Sequence, residues 1–469
     1  MKILSTYAGV SLSVLASVLL ASCDAEQPEK EPPVTLNKNP FPSTYQAMDS
    51  EPTLITNVHI LDGVGGYIES GSVFISDGKI KAIGKSVSAP DGTKTIDGKG
   101  QWVTPGIIDV HSHLGVYATP DTASHSDGNE MTNPVTAQAW AEHSIWPQDP
   151  GFHRALIGGV TSLQILPGSA NLVGGRSVTV KNVPNRVIQD MKFPGAPYGI
   201  KMACGENPKR VYGKKGGPGT RMGNVAGYRQ AWADAQDYKN KWDRYYAEYD
   251  QGKDPKVPKR DLKLETLAGV LDGEIIVHMH CYRADDMGTM LDVMKEFNYQ
   301  IGSFHHAVES YKIADRLKEN NVCSSMWADW WGFKMEAYDG IQENIPMVHA
   351  AGACAIVHSD DDKGIQRLNQ EAAKAWGNGK RVGIEISQAD AWQWLSANPA
   401  KSLGIFDQTG SLEVGKNADL VLWSTDPFST YAKTVNVYID GALAFDRNDP
   451  SSWPVSDFEL GQPGEGDSK

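Results

Sequence analysis

The stretch from Thr104 to Gly115, T-P-G-I-I-D-V-H-S-H-L-G, is an apolar run that closes on two histidines one residue apart. Side chains at i and i+2 of a strand share a face, so His111 and His113 present two imidazoles at the end of one strand, a geometry that suits zinc. An isolated H-x-H is also what a packed core histidine beside a surface one produces. The rest of the chain decides between the two. The segments E-I-I-V-H-M-H, Y-Q-I-G-S-F-H-H and A-C-A-I-V-H-S-D-D-D are again short apolar strands that run into histidine or aspartate just before a loop. Seven of the 12 histidines lie at such ends: His111, His113, His278, His280, His305, His306 and His358. Surface histidines would scatter, whereas a barrel enzyme gathers its reactive side chains at the C-terminal rim of its strands.

The run V-T-P-G-I-I-D-V-H-S-H resembles the first-strand signature of the amidohydrolase superfamily, metal-dependent hydrolases built on a (β/α)8 TIM barrel. The resemblance implies a ligand set, carried over residue by residue. His111 and His113 match the H-x-H of strand one. I-V-H-M-H resembles V-x-H-A-H of strand five, which gives His278 as a metal ligand and leaves His280 for substrate or support. H-H-A-V-E-S-Y-K resembles H-G-x-E-A-Y-K of strand six, which selects His306 and makes His305 a neighbour in the strand. V-H-S-D-D-D resembles the S-D ending of strand eight, which selects Asp360 and leaves Asp361 and Asp362 as loop acids. G-I-K-M resembles the strand-four lysine that bridges two metals when carboxylated, so Lys201 is the remaining ligand, with Glu206 as its rival. Whether one or two Zn2+ ions, or another divalent metal, are held depends on this residue.

What the resemblance implies chemically is hydrolysis of a C–N bond. A zinc-type ion makes hydroxide available at neutral pH. Asp360 takes the proton and later delivers it to the leaving nitrogen, and His306 helps to polarise the carbonyl. The strand-five run H-M-H and the H-S-D ending resemble the imidazolonepropionase-like and Xaa-Pro dipeptidase-like branch, which implies a cyclic amide or a small peptide as substrate. Tyr282 and Arg283 stand where they can hold a substrate carboxylate, Arg283 by its bidentate fork, unless that fork pairs with Asp285 or Asp286. Deamination fits less well, because the Glu that many deaminases carry three residues after the strand-five histidine is Cys281 here. An esterase on the same site, or a metal- or solute-binding lipoprotein without catalysis, are the competing readings.

The flanks read as β structure. D-G turn signals start at Asp62, Asp77, Asp91 and Asp97, and a further D-G lies in V-N-V-Y-I-D-G-A-L-A-F near the C-terminus. Amidohydrolases commonly fold both ends into one sheet domain, so the expected layout is β-sandwich parts at 51–103 and 408–449 around a barrel at 104–407. A tail follows at 450–469. Thr220 to Tyr249 has the spacing of a long helix, and Gly168 to Gly175 reads as a Gly-rich loop on the substrate side of the barrel. Residues 1–23 read as an export signal, with an apolar stretch too short to span a bilayer followed by L-A-S-C. Small residues before a cysteine resemble a lipobox, which implies lipidation at Cys23, a cell-envelope location and a flexible tether over 24–50. The lipid would be the only membrane contact. Cys204, Cys281, Cys323 and Cys354 are expected as buried thiols, although an oxidising compartment permits disulfides. With a net charge of −13 and no long basic run, the chain has no surface for nucleic acid.

Overall fold

The computed structural model describes residues 31–183, 185–330 and 332–453. Signal, lipobox and Cys23 lie outside the described residues, as does nearly all of the expected C-terminal tail. Two eight-stranded sheets organise the described chain.

The first sheet is assembled from both ends of the sequence. Its N-terminal strands are β1 (Thr53–Leu61), β2 (Tyr67–Ser76), β3 (Lys79–Gly84), β4 (Lys94–Asp97) and β5 (Trp102–Pro105). The Asp77-Gly78 turn between β2 and β3 has positive φ at both residues, the requirement of a tight hairpin turn that Asp-Gly meets at low steric cost. The second sheet begins with β6 (Ile107–Ser112), β7 (Val160–Ile165), β8 (Val173–Lys181), β9 (Tyr198–Ala203) and β10 (Ile275–Cys281). It goes on through β11 (Ile301–His306), β12 (Cys323–Met326) and β13 (Ala355–Val357). The chain then returns to the first sheet with β14 (Leu420–Trp423), β15 (Thr434–Ile439) and β16 (Ala442–Asp446). β14 pairs antiparallel with β5, so the sheet closes only when the two ends of the chain meet.

The β6–β13 sheet is the barrel, in the order β13-β12-β11-β10-β9-β8-β7-β6. Its strands are buried on both faces, as strands are when helices cover one side and a packed interior the other. All six residues of β6 are buried. One strand departs from the ideal barrel, because β8 runs antiparallel to both β7 and β9. The Gly-rich stretch expected as a loop supplies its start, where Val173, Gly174 and Gly175 are already in the strand. The gap between β13 and β6 is bridged just past β13. The amide of Asp360 donates to the carbonyl of His111 at 3.0 Å, and both the amide and the hydroxyl of Ser359 donate to the carboxylate of Asp109.

Among the helices are α1 (Pro150–Ile157), α2 (Glu206–Tyr212), α3 (Arg221–Asp250), α4 (Leu262–Leu271) and α5 (Ala284–Phe297). Thr220 caps α3 by accepting from the amide of Gly223, and the stripe Tyr228, Trp232, Ala235, Tyr238, Trp242 and Tyr245 is buried. This helix and α4 account for the long separation between Lys201 and His278.

Two buried devices join the parts. Lys181, 1% exposed at the end of β8, reaches Asp440 at 2.6 Å and Asp419 at 3.5 Å in the first sheet, and the hydroxyl of Tyr45 donates to Asp440 at 2.7 Å. The cysteines are not free thiols: Cys204 pairs with Cys281 and Cys323 with Cys354. Parallel strand neighbours bring their Cα atoms to 5.2 and 4.5 Å, a proximity that sequence separations of 77 and 31 do not reveal. Residues 31–50 have no regular secondary structure, as a tether would, yet they are pinned to the barrel domain. The amide of Val34 donates to Tyr245 at 2.9 Å, and the hydroxyl of Ser43 to the carbonyl of Lys192 at 2.7 Å.

Candidate active site

The C-terminal ends of the barrel strands bring four polar groups to one point. The Nε2 atoms of His111 and His113 lie 3.3 Å apart, and Oδ1 of Asp360 is 3.3 Å from the first and 3.2 Å from the second. The Nζ of Lys201, fully buried on β9, is 3.2 Å from Nε2 of His111. Donor atoms held at about 2.1 Å from a tetrahedral ion stand about 3.4 Å apart, so the spacing fits a divalent metal. The donor chemistry fits as well. The His111 and His278 imidazoles are held neutral, His278 down to about 3 by burial and then by the Lys201 charge. Neutral imidazole is the ligating form.

The local backbone explains the convergence. His111 and His113 emerge from the rim end of β6, and Nδ1 of His113 is fixed by the carbonyl of Leu166 at 2.9 Å, which leaves Nε2 for the cluster. Asp360 sits at φ +52° and His306 at φ +69°, two non-glycine residues in the left-handed region at the strand ends. Burial alone would raise the Asp360 carboxyl. The hydrogen bond and charge of His113 outweigh it, and the group is held below the usual carboxylate range. Burial pulls the Lys201 ammonium down to about 7.

The remaining expected residues lie around this point in two ways. Nδ1 of His306 is 3.7 Å from Oδ2 of Asp360, and its ring is stacked on Trp327 at 4.4 Å. His278 pairs with Lys201 in the neighbouring strand and is hydrogen-bonded to His305. Expected as a mere neighbour, His305 is instead fully buried between two rings, with Nδ1 2.8 Å from Nδ1 of His111 and Nε2 3.1 Å from Nδ1 of His278. Register decides this, because His305 pairs with His280 and shares the inward face. The Nε2 of His278 and the Nδ1 of His358 are buried with no hydrogen-bond partner. Leaving such atoms unpaired is costly, and an ion would use them. His280 contacts Asn207 at 3.3 Å and packs against Tyr282.

Arg283 requires a correction. Its Nε and Nη2 both donate to the carboxylate of Asp285 at 2.8 Å, so the fork expected for a substrate is already filled. The cation beside Tyr282 is Lys334, with Nζ 4.1 Å from the ring centroid and 3.5 Å from Glu206. Glu206 therefore faces Lys334, while Lys201 occupies the cluster. Lys334 and Trp327 escaped the sequence reading, although the aromatic run W-A-D-W-W-G-F-K that holds them follows a strand and was a usable signal.

Comparison with known proteins agrees with the fold. Residues 270–444 match the model of the amidohydrolase family. The chain is 35% identical to an amidohydrolase of Thermotoga maritima MSB8 whose crystal structure superposes with a TM-score of 0.77, covering 84% of this chain and 100% of that one. It is 31% identical over 405 residues to amidohydrolase tasK of Hapsidospora irregularis, a match that covers 82% of this chain but spans only 41% of that protein's length. An imidazolonepropionase of Mesorhizobium japonicum is 22% identical over 392 residues, 78% of this chain and 89% of its own. The chain belongs to the amidohydrolase family.

Proposed function

We propose that this protein is a metal-dependent hydrolase of C–N amide bonds, with a small peptide or a cyclic amide as substrate. The observation that carries the reading is the convergence of His113, Asp360 and Lys201 to within 3.2–3.3 Å of Nε2 of His111 at the barrel rim. These four residues would hold the ion, zinc being the ion that His and carboxylate donors at this spacing suit. When bound, a divalent ion supplies hydroxide at neutral pH and polarises a carbonyl. A lysine brought down to about 7 is in good part free amine at neutral pH. That is the form that adds CO2 and releases a proton to become a carbamate, and a carbamate at Lys201 would accommodate a second ion.

The chain's own residues carry the proton. Asp360 keeps 24% of its side chain exposed, and His113 holds its carboxylate ionised. Asp360 takes the proton from the attacking water and returns it to the departing nitrogen, so amine and carboxylate products leave with the enzyme unchanged. His306 is fixed by the Trp327 ring beside Asp360, where its imidazole orients the scissile carbonyl. Lys334 takes the place expected for Arg283 as the anchor of a substrate carboxylate, beside Tyr282.

The test is a panel of dipeptides, cyclic amides and matched esters given to the zinc-loaded full chain and to a His111→Ala/His113→Ala variant. Amide hydrolysis that vanishes together with bound zinc in the variant supports the reading. Zinc retention with no hydrolysis across the panel favours a binding protein, and turnover confined to esters favours an esterase.

A second part of the proposal is export and lipid attachment through Cys23. The two disulfides support it, since disulfides persist outside the reducing cytosol.

A further inference from the structure

On the outside of the barrel, away from the metal cluster, lies a cavity of about 820 Å³ between β8, the start of β9, α3, α4 and the pinned N-terminal segment. Its floor holds Arg176, which is 7% exposed. The guanidinium lies flat on Trp140, 4.0 Å from the ring centroid, and its Nε donates to Thr266 at 3.0 Å. No carboxylate of the described residues lies within ion-pair distance of it. The other charges on the cavity wall are matched: Lys239 with Asp243 and Asp272 at 2.8 and 3.0 Å, Arg260 with Glu265 at 2.7 Å, and Lys38 with Glu274. Lys192 is paired with the buried Glu142 at 2.6 Å. Lys239 takes two of the five carboxylates, so Arg176 is the one cation of the wall with no carboxylate at ion-pair distance among the described residues. Burial lowers its pKa only to about 10, so it stays charged at neutral pH.

Among the described residues the terminal N–H groups of this guanidinium have no acceptor, and a carboxylate in the cavity would take them with two parallel hydrogen bonds. The rest of the wall is aromatic, with Phe41, Tyr198, Tyr238, Trp242 and Tyr246 around the space. We infer that this cavity is a second ligand site, which takes a small organic monocarboxylate with an aromatic or apolar body, its carboxylate on Arg176 and its ring among these side chains. One guanidinium without a carboxylate partner, on a wall that already carries several carboxylates, favours a monoanion over a phosphate dianion. The N-terminal segment forms one wall: Phe41 packs edge-on against Trp140 at 5.5 Å, and Lys192 donates to the Phe41 carbonyl.

The test is calorimetric titration of the full chain, with and without a chelator, against benzoate, phenylacetate and indole-3-acetate. The primary amides of the same acids and inorganic phosphate serve as controls. The expected result is binding of at least one carboxylate that survives metal removal, is about tenfold or more weaker for its amide, and is weakened about tenfold or more by Arg176→Met. The amide comparison uses the wild type, so it stands even if the variant folds poorly. Binding that disappears with the metal would place the acid at the catalytic centre, and equal affinity for acid and amide would remove Arg176 from recognition. No binding by any of the three acids at millimolar concentration would make Arg176 a packing brace for Trp140 only. Each of these three outcomes overturns the inference, and none bears on whether the metal site hydrolyses amides.

Discussion

Lys201 Nζ lies 3.2 Å from Nε2 of His111, although 90 residues separate the two in the chain. Without an ion an ammonium can donate to the neutral imidazole there, whereas with an ion on Nε2 the lysine has to be a free amine or a carbamate. On the proposed reading, a carbamate at Lys201 makes room for a second ion. Lys201→Ala should lower the metal content measured by atomic absorption from two ions to at most one, and bicarbonate should aid reconstitution of the wild type but not of the variant. An unchanged metal count would reject the bridging role.

Asp360→Asn keeps the shape of the side chain and removes its basicity. The imidazoles still hold the ion, so most of the metal should remain while kcat falls by roughly 10² to 10⁴, about 3 to 5 kcal/mol of barrier, with little change in KM. Turnover near wild type would pass the proton role to another group. Complete metal loss would make Asp360 chiefly a ligand.

The buried histidines set a pH dependence for the metal-free protein. Burial holds His278 down to about 3 and His358 down to about 4, against about 6.5 in an unfolded chain. Above pH 6.5 neither state binds the proton and nothing is lost. As the pH falls from there toward 4, the unfolded chain gains protons that the folded one refuses, and each such group removes up to about 1.4 kcal/mol of stability per pH unit. Urea midpoints after chelation should fall steadily from pH 7 to pH 5. Flat midpoints over that range would mean the rings are protonated in the fold.

Lys181→Met tests the joint between the sheets. It leaves Asp419 and Asp440 facing each other without their cation, which costs about 3 to 5 kcal/mol when one partner of a buried ion pair is removed. Burial and Asp419 already raise the Asp440 pKa, and losing Lys181 raises it further. The penalty should therefore ease as the pH is lowered and a carboxyl takes up a proton. A denaturation midpoint equal to wild type at neutral pH would contradict the role.

Cys23→Ser should abolish lipid attachment and move the protein out of the membrane fraction, since Cys23 is the only acylation site the sequence suggests. The same lipid mass and the same fractionation in the variant would refute the anchor.

Much of the site was legible in one dimension because strands impose a period of two. The histidine-bearing ends of β6, β10 and β11 mark residues at the rim, and Asp360 follows beyond the end of β13. The D-G turns and the periodicity of α3 are equally local, and both carried through to the structure. What sequence alone could not settle was contact between distant segments. Adjacent inward positions place His305 between His111 and His278, yet in the chain it is one of two consecutive histidines with nothing to distinguish it. The Arg283 fork could face a substrate or Asp285, and only the helix start that brings Asp285 within 2.8 Å decided it. The cysteines pair because parallel strands lie side by side, the reversed β8 supplies both Lys181 and Arg176, and the N-terminal segment is ordered by surfaces it meets hundreds of residues later. Local periodicity follows from the chain's own sterics, but register, strand direction and charge matching depend on which segments become neighbours, and that is decided only when the barrel closes.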